Sequence, residues 1–300
     1  TWEGIAYTAE KYYHWSEELG PNSKAGKAFF GRDAMANYIL VGSLQLGHEI
    51  FVVKDGEVTL NLEEKALRRI WDNFYLPYIN GYYKAEGRFR SDDAKTGQII
   101  ALVGSTSGIA YFPQKVIIDD IKEYQIEALV LPLPNFKNTP PMAVQQGAGI
   151  AVTRSEELRE QASIEFLKWF TDVERNIKFS IETGYLPVKK AANKMEAFQE
   201  YLSKDIDKAP MKALQTSMPV VLEQLQTYQL YTNKPFKKGT HARQVLTNSL
   251  LDKSKLDREK VLTLMEKGIN REEAVESFDT EENFQQWLKD LKRDLEGVVR

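Results

Sequence analysis

The 300-residue sequence contains no cysteine. Disulfides, thiolate catalysis and cysteine-bound zinc are therefore excluded. Such a chain suits a compartment outside the membrane, although cytoplasmic chains can lack cysteine too. Histidine is nearly as scarce. His14, His48 and His241 stand far apart and form no H-E-x-x-H spacing, so neither a metal site nor a cofactor is expected. Basic excess is missing as well, with 40 Lys and Arg against 43 Asp and Glu and a net charge of −3. Neutralising a phosphate backbone needs surplus positive charge, so no nucleic-acid partner is expected. The longest apolar runs, such as 99–103 and 128–133, fall far short of a bilayer span, which takes about 20 residues. The opening Thr1-Trp2-Glu3 reads as a helix start in mid-protein, with no signal peptide before it.

What is present is ordinary for a globular protein: 42% hydrophobic and 28% charged residues, enough for one large domain or two of common size. Residues 2–19 carry Ile5, Tyr12, Tyr13, Trp15 and Leu19 among charges and read as an aromatic-rich helix. After Gly20-Pro21-Asn22-Ser23 come a short apolar strand at 28–30 and a helix that starts at Asp33, a plausible N-cap, and stops at Gly47. Another helix begins near Asn61, with Glu63 and Glu64 in its first turn and Ala66, Leu67, Ile70, Trp71 and Phe74 at amphipathic spacing. Strands are expected at 98–103, 109–112, 126–131 and 147–152, and a helix at 155–170. From Ala191 onward the chain reads as almost entirely helical, ending in a helix with Phe284, Trp287, Leu288, Leu291 and Leu295 on one face. Alternating strands and helices followed by helices give an α/β class.

Catalytic patterns fail on inspection. Residues 20–27 imitate a phosphate loop, but the glycine spacing is wrong and Ala28 stands where Ser or Thr is needed. Gly104-Ser-Thr-Ser-Gly108 sits where a hydrolase would place its nucleophile elbow, yet the central residue is Thr106. The acidic pairs Asp92-Asp93 and Asp119-Asp120 could be drawn as a glycosidase couple, but charged neighbours are mostly solvated. No catalytic residue is nominated.

Several segments together resemble the family 1 extracellular solute-binding proteins of bacterial ABC importers, the maltose-binding-protein-like group. They are Thr1-Trp2-Glu3-Gly4-Ile5, Lys27-Ala-Phe-Phe-Gly31 with the helix stop at Leu46-Gly47, and the 97–112 stretch. Leu131-Pro-Leu-Pro134, Gly147-Ala-Gly-Ile-Ala-Val152, Ala162-Ser-Ile-Glu-Phe-Leu-Lys-Trp-Phe170 and Thr183-Gly-Tyr-Leu-Pro-Val-Lys189 follow in the family's order. The resemblance implies a two-lobed type II periplasmic-binding-protein-like fold with the C-lobe complete and the N-lobe partial, since the leader and first N-lobe segment of the family are not matched. It implies a first part of the C-lobe at 1–142, a crossing strand and helices of the N-lobe at 143–190, and a mainly helical return to the C-lobe at 191–300.

Sugars present many hydroxyls and flat apolar faces, so their sites combine carboxylates, amides, guanidinium groups and aromatics. Arg32 and Asp33 lie between a strand and a helix start, where open α/β sheets bind ligands, although capping alone would explain Asp33. Ser105, Thr106 and Ser107 offer hydroxyls in a glycine-flanked loop, where the family's aromatic platform is lacking. Gln145 and Gln146 precede the crossing strand, and Lys237, His241 and Arg243 lie where the family segment points into the cleft. Tyr75, Tyr78, Tyr82 and Tyr83 follow an amphipathic helix and read as core edge rather than sugar platform.

The function implied is non-enzymatic capture of a carbohydrate, an oligosaccharide or glycoside, in an interlobe cleft for delivery to ABC transporter permease subunits. The place would be extracellular, at the cell surface or periplasmic, with membrane attachment only through a leader or lipoprotein anchor outside this chain. The alternatives are a glycerol-phosphate-type ligand contacted by Lys237, His241 and Arg243, a carbohydrate-active enzyme using paired carboxylates, and a sensor module signalling to a membrane kinase.

Overall fold

The computed structural model describes residues 1–19, 26–118, 121–202 and 209–299. Along the chain come α1 (Trp2–Glu18), β1 (Phe30–Arg32), α2 (Met35–Gln45), β2 (Phe51–Lys54), β3 (Glu57–Leu60), α3 (Glu64–Asp72), α4 (Tyr75–Ile79) and α5 (Arg90–Lys95). Next are β4 (Ala101–Val103), a 3-10 turn (Thr106–Tyr111), β5 (Lys115–Ile117), β6 (Glu123–Gln125) and β7 (Met142–Val144). The helices α6 (Glu157–Phe170), α7 (Val173–Thr183), α8 (Met195–Leu202) and α9 (Ala209–Thr227) lead to β8 (Gln229–Tyr231). Last come α10 (Gly239–Glu266), α11 (Arg271–Glu276) and α12 (Glu281–Val299).

The chain forms two compact units, one of 1–103, 133–144 and 229–300, the other of 104–132 and 145–228. This division differs from the one expected at 142/143 and 190/191, because 104–132 and 191–228 group with 145–190. No break in composition marks those boundaries. What separates the units is packing.

In the first unit, α1 starts where Thr1 caps it, its Oγ1 accepting from the Gly4 amide at 3.1 Å. Trp2 and Tyr13 are buried from its inner face, while Tyr7 and Trp15 stay exposed. The amphipathic α3 is capped by the Glu63 side chain, which accepts from Ala66 N at 2.7 Å. Its Trp71 stacks on Tyr75 with ring centroids 3.7 Å apart and meets Phe284 and Trp287 of α12. All four tyrosines from 75 to 83 are buried, so they serve the core. A hairpin of β2 and β3, unassigned from the sequence, turns at Asp55 and Gly56, both with positive φ. That Asp-Gly pair is the residue signature of a type I′ turn.

Two parallel pairs matter for the site. β1 pairs with β4, matching Phe30 to Ala101 and Arg32 to Val103. β7 pairs with β8, matching Met142 to Gln229 and Val144 to Tyr231. Parallel pairing needs a crossover connection, which runs through α2 to α5 between β1 and β4 and through α6 to α9 between β7 and β8.

The second unit is built on α7, α8 and α9, whose Ile177, Phe198, Leu202, Leu214, Met218 and Leu222 form its core. Here several strand expectations fail. Residues 109–112 lie mostly in the 3-10 turn, 126–131 continue past β6 with Ile126 N donating to the Gln114 carbonyl at 2.8 Å but join no strand, and 147–152 join no sheet. Each is an apolar run, and an apolar run becomes a strand only where a neighbouring backbone supplies its hydrogen bonds. The segment 145–159 is exposed throughout, and α6 buries no residue. No helix among the described residues is long and apolar enough to cross a membrane. The expected loop at Gly20-Pro21-Asn22-Ser23, the 20–27 phosphate-loop imitation and the Asp119-Asp120 pair lie wholly or largely outside the described residues.

Candidate functional site

Every candidate residue lies at or beyond the carboxyl end of a parallel-paired strand. Arg32 ends β1 and Asp33 succeeds it, Ser105 follows β4, Gln145 follows β7, and Lys237, His241 and Arg243 follow β8. Open α/β sheets bind ligands on that side because loops and helix N-termini gather there.

At the end of β1, Arg32 is only 7% exposed. Its guanidinium lies over the rings of Trp2 and Tyr38 at 5.0 and 4.8 Å. Nε donates to the Asp33 carbonyl at 3.2 Å, while the buried Nη1 finds no acceptor. Burial lowers its pKa to about 10, so it stays charged at neutral pH.

Asp33 does not cap α2, as the sequence suggested. The N-cap is Ala34, left-handed at φ 54°, and no side chain caps the helix. Instead the Asp33 carboxylate accepts from Arg90, from its backbone N at 3.3 Å and from Nε at 3.4 Å. Burial raises the Asp33 pKa, and the Arg90 contacts offset part of that rise. Arg90 is itself buried, pairs with the buried Asp93, and packs where Gly31 lacks a side chain. A Cβ on Gly31 would stand 2.7 Å from the Lys84 carbonyl oxygen and 2.9 Å from Arg90 Cδ. Asp93 therefore belongs to a structural ion pair, and Asp92 accepts from the Phe89 amide at 2.9 Å. The glycosidase couple drawn from Asp92 and Asp93 has both carboxylates otherwise engaged.

Ser105, Thr106 and Ser107 belong to the second unit, where Ser105 Oγ and Ser107 Oγ bond to each other at 2.8 Å. Neither serine hydroxyl contacts a histidine or carboxylate among the described residues. Gln145 and Gln146 also fall in the second unit and are exposed.

Beyond β8, Lys237 and His241 are exposed. Arg243, in the second turn of α10, is half-buried, and its Nη2 donates to Asn37 Oδ1 of α2 at 2.6 Å. Its Nη1 is buried without an acceptor. Burial lowers its pKa, and the nearby Tyr231 phenol opposes that. The structure thus brings Arg243 to the first turn of α2, the helix that follows Arg32 and Asp33 in sequence, while Lys237 and His241 stay exposed. Arg90 and Asn37 were not foreseen. An Arg and Asp three apart, Arg90 and Asp93, hinted at the first; nothing local marks Asn37.

Open grooves of about 360 Å³ beside Arg68, Asp72 and Glu281 and about 440 Å³ beside Ile150 and Phe166 contain none of the candidates. The first is lined by mutually paired charges, Arg68 bonding both Asp72 and Glu281 at 2.8 Å. No cluster of three or more His, Cys, Asp or Glu that could hold a metal ion occurs among the described residues.

The model of the bacterial extracellular solute-binding protein family matches residues 1–205. The chain belongs to this family. No curated protein shows a comparable sequence match. Among solved structures, the solute-binding chain is similar to UgpB from Mycobacterium tuberculosis in complex with glycerophosphocholine. That match has TM-score 0.59 and 20% identity, and covers 97% of this chain and 64% of that one. It is also similar to the cyclic alpha-maltosyl-1,6-maltose binding protein from Arthrobacter globiformis, with TM-score 0.59, 14% identity and coverage of 100% and 64%. At these identities the likeness is one of fold, the α/β architecture of two-lobed binding proteins. The solute-binding chain spans 64% of the length of either structure. Members of the family act outside the cytoplasm, extracellular or periplasmic.

Proposed function

We propose that this chain is part of the solute-capturing subunit of a bacterial ABC importer, and that its solute is a carbohydrate, an oligosaccharide or glycoside. The carrying observation is the family match over 1–205, within which the candidate segments at 32–33, 105–107 and 145–146 each follow a strand's carboxyl end. The unit of 1–103, 133–144 and 229–300 takes the place of the C-lobe, and 145–190 belongs to the N-lobe. Arg32, Asp33 and Arg243 supply charged and hydrogen-bonding groups that suit hydroxyl-rich solutes. Delivery to permease subunits follows from the family's role, and a lipid anchor, if the full-length protein carries one, would hold it at the cell surface.

The subunit binds without chemistry. Two observations support that reading: Asp93 is paired with Arg90, and the Ser105 and Ser107 hydroxyls bond to each other rather than to a base. A thermal-shift screen of the full-length protein against oligosaccharides and glycerophosphodiesters tests the reading, since a solute that binds only the folded state raises Tm. Raised Tm without product release supports it. Steady release of free sugar, abolished by removing one carboxylate, would replace it with an enzyme.

A further inference from the structure

Resting on that solute-binding reading, we propose that Arg90 is a positioning residue for solute capture. It closes on the sealed Asp93 and aims the open Asp33 carboxylate to accept hydroxyl groups of the solute. Arg90 is buried, 5% exposed. Its Nη1 pairs with Asp93, its Nη2 donates to the Gly87 carbonyl, and its Nε and backbone N donate to Asp33 at 3.4 and 3.3 Å. The two acids differ. Asp93 has a side chain only 2% exposed and also accepts from the Gly87 and Glu86 amides at 2.7 and 3.3 Å, so its oxygens are taken. Asp33 keeps 31% of its side chain exposed, and its bonds to Arg90 are long. A carboxylate offers about four lone-pair sites, so Asp33 retains acceptor capacity for a second partner.

The chain forgoes easier arrangements to hold Asp33 this way. An Asp ahead of a helix ordinarily caps it, yet α2 is left without a side-chain cap. Ala34 is left-handed at φ 54°, an uncommon conformation for a residue with a Cβ. Backbone strain of this kind collects at binding sites. Gly31 leaves the space that Arg90 fills, since a Cβ there would stand 2.9 Å from Arg90 Cδ. The Asp33 amide donates to the Val103 carbonyl at 3.0 Å, which pins the residue to the end of β4. One guanidinium thus serves two carboxylates, and its closest contact is with Asp93. Burial raises the Asp33 pKa, Arg90 holds part of that rise back, and Arg32 adds a smaller pull in the same direction. In the loop before α5, Lys84 pairs with Glu86 at 2.8 Å, and Arg88 lies over the Phe89 ring at 5.3 Å.

Titration calorimetry of the full-length protein with maltose and glycerophosphocholine, run from neutral to acid pH, tests the assignment. Ionised Asp33 is the acceptor, so affinity should fall as pH drops through its pKa. Arg90→Gln removes the charge that holds that value down, and the fall should begin at higher pH. Asp93→Asn leaves the whole guanidinium charge to Asp33, and the fall should begin at lower pH. Arg90→Lys keeps the charge but not the Nε contact. Its affinity should drop about tenfold at neutral pH, the weight of one charge-assisted hydrogen bond, while the acid fall stays near that of the parent. A role confined to folding would lower Tm in all three variants without moving the acid fall in opposite directions. An acid fall that stays in place or shifts the same way in Arg90→Gln and Asp93→Asn overturns the assignment, as does a parent with no acid fall; the solute-binding reading then stands. Should Arg90→Gln fail to fold, Asp93→Asn and Arg90→Lys carry the same decision. No heat with either probe, and none in a wider solute screen, overturns both.

Discussion

Asp257 is the residue on which the first unit's polar interior turns. It is fully buried, yet it accepts from the Tyr75 phenol at 2.7 Å and meets Lys253 at 2.6 Å and Lys260 at 2.9 Å. Burial alone would raise its pKa, but these donors outweigh it and hold the carboxyl below its ordinary value. A carboxyl held low in the fold contributes stability that is present above its unfolded pKa and lost as pH falls through the folded value. Asp257→Asn should therefore cost about 2 kcal/mol at neutral pH, the usual worth of charged hydrogen bonds. Urea melts should show the difference from the parent shrinking below about pH 4; a constant difference down to pH 2 would mean that Asp257 does not act through its charge. Asp33 behaves oppositely. Burial raises its pKa, so its contribution is present at low pH and lost as pH rises through the folded value. Asp33→Asn should accordingly leave neutral-pH stability within about 1 kcal/mol, the range of a single net hydrogen bond, while solute affinity in the full-length protein falls at least tenfold. Loss of stability without loss of affinity would move Asp33 out of the site.

Among the elements, α7 ends on a residue that cannot be replaced freely. Gly184 is left-handed at φ 73°, and its amide closes the helix on the Ser180 carbonyl at 2.8 Å. A Cβ there would stand 2.8 Å from both Ser107 Cα and the Thr106 oxygen, so the glycine lets α7 press against the 105–107 loop. Gly184→Ala should cost about 2 kcal/mol, from the left-handed penalty of ~1–2 kcal/mol plus the clash. Gly147→Ala, with nothing within 4 Å of its Cβ, should change stability by less than about 0.5 kcal/mol. Equal effects on melting would refute the packing argument. The same contrast explains what the sequence made readable. The helices with caps and a clear apolar stripe, α1, α3 and α12, were legible because their signals are local. Asp33 was misread as a cap because its partner, Arg90, lies 57 residues away. The runs at 126–131 and 147–152 looked like strands because apolar β-formers say nothing of whether a neighbour exists to pair them. Of the candidate site, the strand-end positions of Arg32, Ser105 and Gln145 follow from order and spacing, whereas the contacts of Asn37 and Arg90 needed the fold.

At the scale of the whole molecule, order is distributed unequally. α2 buries nearly every residue and α10 buries Ala242, Leu246, Leu250 and Val261, while α6 exposes Leu158 at 77%, Phe166 at 55% and Trp169 at 52%. Ile150 and Val152 beside it are exposed too, and with Phe166 and Leu167 they line the 440 Å³ groove. Isolated helices of about 14 residues are marginal in water, because most helical stability comes from packing an apolar face. α6 has 14 residues and packs none of them fully. Amides of 145–170 in the 300-residue chain should therefore exchange much faster than those of α2 and α10, since local opening there breaks few buried contacts. An apolar patch of this kind also drives association, so protection of α6 should rise with protein concentration together with the mass measured by light scattering. Exchange with mass spectrometry at two concentrations gives the answer. If α6 is as protected as α10 in a sample that scatters as a monomer, its apolar face is covered within the chain, and the unequal distribution of order does not hold in solution.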